Sequence, residues 1–301
     1  MDYSGVRKEV IDNALPEMIE GRLDIFTNYI NERESVRLLK ESGQPAPWTD
    51  DPILRDYRFT NVRRTDDRIS KYGIEMFAEN PSLSLYDKIM NMILFRAFNK
   101  PETSTIFQQP IQDWSDENLN SIDQHAAKLL DNLGDKYKQY GSAYFQSGLK
   151  GAWGVRSNIH SAQRMMDMMA HIRENAIVES IIANPTPLGV LETIKSVKGI
   201  GGDFLSYQIW VDLTYIPELP LNEDHMTVAG PGCALGISML VEDMDGMTPE
   251  ELIFHIRDNQ HALDLDIGFC LTVMDIENIF CEFSKYMKRT LGQNNRMRKY
   301  V

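Results

Sequence analysis

Three closely spaced arginines are the residues of this 301-residue sequence best suited to bind phosphate. Arg63, Arg64 and Arg68 each present several N–H donors in a planar fork, which matches the oxygens of phosphate and pyrophosphate. The surrounding residues 47–70 mix aromatic side chains with amide and acidic ones, so the segment is too polar for core and too aromatic for a solvated loop. We interpret it as the wall of a pocket in which the arginines bind phosphate or pyrophosphate oxygens.

A glycine-rich turn between two predicted helices is a second candidate site. The helical patterns of residues 188–198 and 204–215 flank the turn, which contains three glycines. Glycine tolerates positive φ and lacks a Cβ, so amides there can approach a DNA phosphate closely, and the positive end of the next helix adds to the attraction. The segment resembles a helix-hairpin-helix of the DNA glycosylase superfamily, and a plain corner between two core helices is the alternative. The residues predicted to contact DNA are Lys198, Gly199, Gly201 and Gly202.

Asp224 is a candidate catalytic carboxylate. In the DNA glycosylase superfamily such a residue follows the hairpin at the start of another helix, and Asp224 occupies the matching place here. A carboxylate at that position can act beside an extruded nucleobase, whereas the alternative is that it only caps a helix. The lysine that would form a Schiff base is absent, because Gly202 and Asp203 stand where it is expected, so lyase chemistry is disfavoured.

Two later segments add polar residues to these candidates. The Ala-Gly-Pro-Gly sequence at 229–232 precedes a helix and offers backbone amides to an anion, which is a weak motif by itself. In the helix predicted over 275–288, four polar residues fall three or four positions apart and therefore share a face. These residues are Asp275, Asn278, Glu282 and Lys285. Ordinary salt bridges on an exposed face are the alternative interpretation.

Apolar residues recur at helical spacing along most of the chain, and strand-like alternation is scarce. We therefore predict a mostly α fold, a helical bundle with a helix-hairpin-helix and a DNA glycosylase-like core. Ser115 and Thr248 have the sequence context of helix caps. We expect a single helical domain over residues 1–301. Residues 141–154 are the expected boundary of a division into two lobes. The predicted helices cover residues 17–40, 85–98, 117–133, 157–182, 188–198, 204–215, 249–258 and 275–288.

Composition and charge exclude several classes of protein. With 43% hydrophobic and 25% charged residues, the sequence is typical of a globular protein rather than a disordered or fibrous one. The net charge of −13 argues against indiscriminate binding to nucleic acid or anionic membranes, so any DNA contact must be local. Basic residues are concentrated at 55–71 and from 285 onward. Three cysteines without a CxxC spacing, and the lack of an apolar leader or spanning segment, favour a cytoplasmic protein without disulfides or zinc.

Four blocks of sequence carry a resemblance to a known family. They are PWTDDPILRDYRFTNVRRTDDRIS, VKGIGGDFLSYQIWVDLTY, EDHMTVAGPGCALGI and LTVMDIENIFCEFSKY, and they run from residue 47 to 286. Together they resemble the alpha-glutamyl/putrescinyl thymine pyrophosphorylase family of bacteriophages, which is related to the helical domain of 5-hydroxymethyluracil DNA kinases. The resemblance implies hypermodification of thymidine in phage DNA. In that chemistry a kinase places a pyrophosphate on 5-hydroxymethyluracil, and the transferase displaces it with an amino acid or a polyamine.

The resemblance also implies a role for each candidate residue. Departure of pyrophosphate develops negative charge that fixed cations stabilise, and the incoming amine must lose a proton to a base. The pyrophosphate-binding candidates are Arg63, Arg64, Arg68 and Lys285. The candidate bases are Asp224, Asp67 and His225. The residues expected to contact the substrates are Asn61, Tyr207, Gln208, Glu277 and Asn278.

The expected partners are double-stranded DNA that carries a modified thymine, and an amino acid or polyamine co-substrate. No resident cofactor or metal is predicted, and magnesium would enter only with the pyrophosphate. The sequence has no P-loop, so it is not itself the kinase. In the transferase interpretation the arginine segment folds over the glycine turn. Two alternatives remain open: a glycosylase-like enzyme that excises a modified base, and a non-catalytic DNA-binding helical subunit of a base kinase.

Overall fold

The structure is a computed structural model that describes residues 15–134, 136–141, 158–200, 202–293 and 297–300. Within these ranges the regular structure is helical, and two isolated β-bridges are present. The prediction of a mostly α fold is confirmed. The helices are α1 (Arg22–Glu41), α2 (Pro52–Asp56), α3 (Arg68–Gly73), α4 (Leu85–Phe98), α5 (Pro101–Ile106), α6 (Asp116–Leu133), α7 (Asn158–Glu174), α8 (Ile177–Ala183), α9 (Pro187–Lys195), α10 (Asp203–Leu213), α11 (Pro231–Ser238), α12 (Pro249–Asp258) and α13 (Val273–Thr290).

The chain divides into two compact units. Unit 1 comprises Met1–Asp67 and Glu223–Val301, and unit 2 comprises Arg68–Asn222. The chain therefore leaves unit 1 within the arginine segment, between Asp67 and Arg68, and returns to it just before Asp224. The division predicted at 141–154 falls largely outside the described residues, and it stays a prediction.

Helix α13 packs against α1, α2, α11 and α12 in unit 1. A capping box fixes its start: Thr272 Oγ1 accepts the Asp275 N–H at 3.1 Å, and Asp275 Oδ2 accepts the Thr272 N–H at 3.0 Å. Phe280 and Phe283 pack on Phe26 of α1, with ring centroids 5.1 and 5.0 Å apart. Each buried ring contributes roughly 1.5–3 kcal/mol to stability. This apolar contact holds the polar face of the same helix in place.

Helix α11 approaches α13 closely because its contact positions are glycines. A Cβ on Gly236 would lie 2.1 Å from the carbonyl O of Phe280, and one on Gly232 would lie 2.8 Å from Cys281 Sγ. The two glycines are four positions apart and share a face of α11. Their absent side chains bring the loop at residues 229–230 against α13.

A buried ion pair joins α4 and α10 in unit 2. The side chains of Arg96 and Asp212 are 3% and 2% exposed, and Arg96 Nε lies 2.5 Å from Asp212 Oδ2. Arg96 also donates from Nη1 to Asn99 Oδ1 at 2.9 Å. Such a pair is tolerated inside a core because each charge meets an opposite charge and a hydrogen-bond partner.

Helices α9 and α10 are joined by a short turn, as the glycine pattern predicts. Gly199 adopts φ of 87°, which favours glycine, and Gly202 is the N-cap of α10. Lys195 and Asp203 form an ion pair across the turn. Gly201 lies outside the described residues. The helix, turn and helix are present, whereas their assignment as a DNA-binding helix-hairpin-helix in a glycosylase-like core stays a prediction.

Most predicted helices are present within a few residues of their expected ends, and Ser115 and Thr248 cap α6 and α12 as expected. The predicted helix 157–182 is instead two helices, because Ala176 adopts φ of 51° between α7 and α8. The helix start expected at Asp224 is wrong, since this residue lies in a turn. The short helices α2, α3, α5 and α11 offer too few turns for apolar periodicity to reveal them. None of the described helices has the length and apolar character needed to cross a membrane.

Candidate functional site

Several polar side chains predicted for the site lie together in unit 1, where the predicted pocket wall packs against α13. Asn278 donates from Nδ2 to Thr60 Oγ1 at 3.0 Å and to the carbonyl O of Asn61 at 3.3 Å. The Arg64 N–H donates to Asp275 Oδ1 at 2.8 Å. These bonds fix the arginine segment along the polar face of α13. Two sequence candidates are therefore parts of one site.

Asp67 is the predicted base that lies in this site. Its Oδ1 accepts the Asn61 N–H at 3.0 Å, and Asn61 Nδ2 donates to the carbonyl O of Asp66 at 3.0 Å. Burial raises the pKa of Asp67 to about 6, and the Asn61 N–H and the guanidiniums of Arg64 and Arg33 limit the rise. A carboxyl with this pKa is ionised at neutral pH and remains basic enough to accept a proton.

Two guanidiniums are buried beside these carboxyls. Arg64 is 6% exposed, and Arg33 of α1 is 3% exposed. Arg33 donates from Nη2 to the carbonyl O of Phe59 at 3.0 Å and of Thr60 at 2.7 Å. Its buried Nε has no hydrogen-bond partner in the part of the chain that the structure describes. A buried donor left unpaired costs about 1–3 kcal/mol, which a ligand oxygen at this atom would recover.

Glu277 of α13 is the most perturbed carboxyl of the site. It is 4% exposed. Burial raises its pKa to about 7, while Arg64, the Gly230 N–H and Lys285 lower the pKa and Glu282 raises it. Glu277 therefore takes up a proton near neutral pH, which an exposed glutamate does not.

The amides of the Ala-Gly-Pro-Gly loop bind carboxylates of the chain itself. The Ala229 N–H donates to Glu250 Oε1 at 3.0 Å, and the Gly230 N–H donates to the Glu277 carboxylate. The loop thus offers its amides to anions, as expected from its sequence. These two amides are occupied by side chains from α12 and α13, so they are not available to a phosphate unless those side chains move.

Glu282 and Lys285 form an ion pair further along the same helix. The Lys285 side chain is 42% exposed and that of Glu282 is 7% exposed, so the ammonium reaches solvent while the carboxylate faces inward. The negative charge of Glu282 raises the pKa of both Asp67 and Glu277. We call Arg64, Asp67, Glu277 and Glu282 the polar centre of unit 1.

The other two predicted pyrophosphate ligands are exposed. The Arg63 guanidinium lies over the Phe269 ring, 5.4 Å from its centroid. Arg68 begins unit 2 and pairs with Glu102 of that unit, with 3.2 Å between Nη1 and Oε1 and a side chain that is 72% exposed. The structure therefore brings Arg64 and Lys285 to the polar centre, and the roles of Arg63 and Arg68 stay predictions.

Asp224 and His225 lie in a turn of unit 1. Arg257 donates to both carboxylate oxygens of Asp224, with Nε 3.2 Å from Oδ1 and Nη2 2.5 Å from Oδ2. The Val273 N–H, the first of α13, donates to Asp224 Oδ1 at 2.9 Å. Asp224 thus holds the N-terminus of α13 in place. The catalytic roles predicted for Asp224 and for the partly exposed His225 stay predictions.

Tyr207 and Gln208 of α10 are buried in unit 2, with exposed fractions of 0% and 2%. The Tyr207 ring stacks on Trp210, with centroids 6.0 Å apart and an interplanar angle of 15°. A flipped base would reach this ring only if the packing around α10 opened, so core packing accounts for the position of both residues.

The predicted DNA contacts also belong to unit 2. Lys198 is exposed in the turn between α9 and α10, which contains Gly199 and Gly202. Because Arg63 and Arg64 belong to unit 1, the expectation that the arginine segment folds over the glycine turn stays a prediction. The same is true of DNA binding by the turn.

Arg33 is a site residue that the sequence interpretation missed. It lies on the buried face of α1 with Phe26 and Ile30, at the spacing that defines such a face. An arginine at a core position of an amphipathic helix is a signal for a buried polar site.

No group of three His, Cys, Asp or Glu side chains within the described ranges has a geometry that could hold a metal ion.

Comparisons with known proteins bear on the whole of this region. The sequence model of the family described as "5-hmdU DNA kinase, helical domain" matches residues 20–296. A curated relative from Bacillus phage SP10, named 5-hmdU DNA kinase, is 27% identical over 307 residues, which cover 90% of this chain and 46% of the relative. The chain thus spans about half the length of that relative. No solved structure matches this chain.

Proposed function

The chain belongs to the family of 5-hmdU DNA kinase helical domains, and from this premise we propose that it acts in the hypermodification of thymidine in phage DNA, as a transferase that replaces a base-linked pyrophosphate with an amine. The proposed substrate is DNA that contains 5-pyrophosphoryloxymethyluracil, and the co-substrate is an amino acid or a polyamine. The supporting observation is the buried guanidinium of Arg64 beside two carboxyls, Asp67 and Glu277, whose pKa values are raised toward neutrality.

In the proposed reaction the amine nitrogen attacks the methylene carbon of the modified thymine. The C–N bond forms as the C–O bond to pyrophosphate breaks, and the electrons of that bond leave with the pyrophosphate oxygen. Arg64 and Lys285 stabilise the developing negative charge. Asp67 takes the proton that the amine loses, because a pKa of about 6 leaves it ionised at neutral pH and its side chain is only partly buried.

Glu277 is assigned a supporting role because its carboxyl is buried. It is held by the Gly230 N–H and lies close enough to Arg64 for their charges to interact. Protonation of Glu277 removes a negative charge near Arg64 that would otherwise repel a phosphate oxygen. The proposed role of Glu277 is therefore to position Arg64 and to set the net charge of the site.

Release of pyrophosphate tests the proposal directly. The purified protein is mixed with DNA carrying 5-pyrophosphoryloxymethyluracil and with each of a panel of amino acids and polyamines. We expect pyrophosphate release with at least one amine, and mass spectrometry of the digested nucleosides should show that amine attached to thymine. DNA with unmodified thymine is the control substrate. Absence of release with every amine would overturn the proposal.

The length of the relative supports a second candidate function. The match covers 46% of a protein named a kinase, so a chain of this type could serve as the DNA-binding helical subunit of a base kinase. In that case the protein would raise the rate at which a separately supplied kinase phosphorylates 5-hydroxymethyluracil in DNA, and Asp67→Asn would leave that rate unchanged. Abasic sites formed without any amine would instead support a glycosylase-like enzyme.

A further inference from the structure

The basic residues near the C-terminal end of the described chain dock on unit 1 instead of extending from it. The Arg58 N–H donates to the carbonyl O of Arg298 at 2.8 Å, and the Tyr300 N–H donates to the carbonyl O of Asp56 at 3.0 Å. Tyr57 and Lys299 form an isolated antiparallel β-bridge between these bonds. Residues 297–300 therefore add their charges to those of the segment that contains Arg58.

Aromatic rings hold the cations of this region. Lys40 Nζ lies 5.1 Å from the centroid of Trp48 and 4.8 Å from that of Tyr300, and Arg58 Cζ lies 5.5 Å from Tyr300. On the neighbouring ring, Arg289 Cζ lies 4.6 Å and Lys299 Nζ 5.4 Å from the centroid of Tyr57. We call this group the cation–aromatic surface. Its residues are Lys40, Trp48, Tyr57, Arg58, Arg289, Lys299 and Tyr300.

The surface is open to solvent at three of its four charged positions. Lys40, Arg58 and Lys299 are exposed, and within the described ranges no carboxylate lies at ion-pair distance from any of the three. Two acidic residues nearby in sequence pair elsewhere, Asp56 with Arg55 and Glu41 with Arg37. Positive charge is thus concentrated at the cation–aromatic surface, although the net charge of the protein is −13. Such a local field attracts a polyanion that the rest of the surface repels.

We propose that the cation–aromatic surface binds the sugar–phosphate backbone of DNA and so places the substrate on unit 1. The choice of DNA as the polyanion rests on the proposed function. The faces of Tyr57 and Tyr300 are covered by the chain's own cations, so the rings position ammonium and guanidinium groups rather than stack on bases. Binding at this surface is therefore independent of base sequence and strongly dependent on salt.

Fluorescence anisotropy with a labelled duplex of unmodified DNA tests this surface. The variant carries Lys40→Gln, Arg58→Gln and Lys299→Gln. The matched control removes the same charge from three exposed cations of unit 2, Lys128→Gln, Lys136→Gln and Arg164→Gln. If each surface cation neutralises one phosphate, the variant should bind more than about tenfold more weakly near 100 mM salt, and the slope of log K against log salt should fall by about 3.

The control should bind as the wild type does. The proposal is overturned if the surface variant keeps wild-type affinity and salt slope, or if the control loses as much affinity. Because the assay contains unmodified DNA and no amine, its outcome is separate from that of the transfer assay. A thermal melt of each variant checks that it is folded.

The ring of Tyr300 provides a second, milder test. Tyr300→Phe keeps the ring beneath Lys40 and Arg58 and should bind DNA as the wild type does. Tyr300→Ala removes the ring that orders both cations and should weaken binding about two- to fivefold, since each exposed cation–π contact is worth about 0.5–1 kcal/mol. Equal binding by both variants would show that the ring does not position the cations, and the rings would then be removed from the proposed surface.

Discussion

Each unit of the molecule buries arginine and carboxylate side chains, but the two groups differ in how their charges are arranged. In unit 2, Arg96 and Asp212 face each other, and Asn99 accepts a further bond from the guanidinium. In unit 1, Asp67 and Glu277 each interact with Arg64 and also with the carboxylate of Glu282. Burial raises the pKa of Asp67 to about 6 and that of Glu277 to about 7, and the negative charge of Glu282 adds to both shifts.

The difference separates a group that stabilises the fold from one suited to chemistry. In a one-to-one pair each buried charge already has its partner. A centre whose buried carboxyls have raised pKa values can exchange protons near neutral pH, and such perturbed pKa values are typical of functional sites. The contrast makes four predictions, in order of decreasing expected effect.

Removal of the guanidinium should cost more stability in unit 2 than in unit 1. Arg96→Met leaves the Asp212 carboxylate buried without its partner, which should lower the free energy of unfolding by about 3–5 kcal/mol. Arg64→Met should cost less, because Asp67 and Glu277 can take up protons and lose their charge. Urea denaturation of the two variants measures the difference. A loss from Arg64→Met as large as that from Arg96→Met would contradict the contrast.

The pH dependence of stability should reveal the raised pKa of Glu277. The pKa of Glu277 is about 7 in the folded protein, against an ordinary value of 4.5. The folded state therefore binds the extra proton between these values, and wild-type stability should fall as the pH rises from 4.5 to 7, by roughly 3 kcal/mol from this group. Glu277→Gln cannot ionise and should lack this part of the slope. The measurement is the free energy of unfolding in urea at several pH values.

Asp67→Asn is the matched comparison for that experiment. The pKa of Asp67 is about 6 against an ordinary 3.8, so most of its contribution should be lost between these values and the remainder by about pH 7. The slope between pH 6 and 7 should therefore largely survive in Asp67→Asn and become much smaller in Glu277→Gln. Identical slopes in wild type and Glu277→Gln would show that Glu277 does not titrate in this range.

The proposed base should appear in the rate of transfer and in its pH profile. Asp67→Asn should lower kcat for amine transfer by at least about 100-fold, the usual contribution of a general base. In the wild type, kcat/KM should fall as the pH drops below about 6, because protonated Asp67 cannot accept the amine proton. Initial rates of pyrophosphate release between pH 5 and about 8 test both statements. A pH profile that Asp67→Asn leaves unchanged would exclude Asp67 as the base.

Part of the site was predictable from local spacing and part was not. Polar residues three or four apart on α13 predict a shared face, and the structure places Asp275 and Asn278 on the face that meets the arginine segment. The contact between Arg64 and Asp275 spans 211 positions of sequence, so no local pattern contains it. The pKa of Glu277 likewise depends on its burial and on the Gly230 N–H, which no local pattern around Glu277 contains.

The fold, too, was predictable from the sequence only where local spacing determines it. The long helices with strong apolar periodicity were predicted within a few residues, because local spacing determines them. The break at Ala176, where φ is 51°, has no glycine or proline to announce it. The return of the chain to unit 1 at Glu223 is also a tertiary property, and no change of composition marks it.

The smallest predicted effect concerns Asp224, where the sequence indicates catalysis and the contacts indicate positioning. Asp224→Asn keeps an oxygen to accept the Val273 N–H but loses the charge paired with Arg257. Because both side chains of that pair are partly exposed, the loss of stability should be about 1 kcal/mol or less. In a positioning role the variant keeps the wild-type pH profile, and its kcat falls far less than that of Asp67→Asn. A loss of kcat as large as that of Asp67→Asn, with stability intact, would restore Asp224 as the catalytic carboxylate and would remove Asp67 from that role.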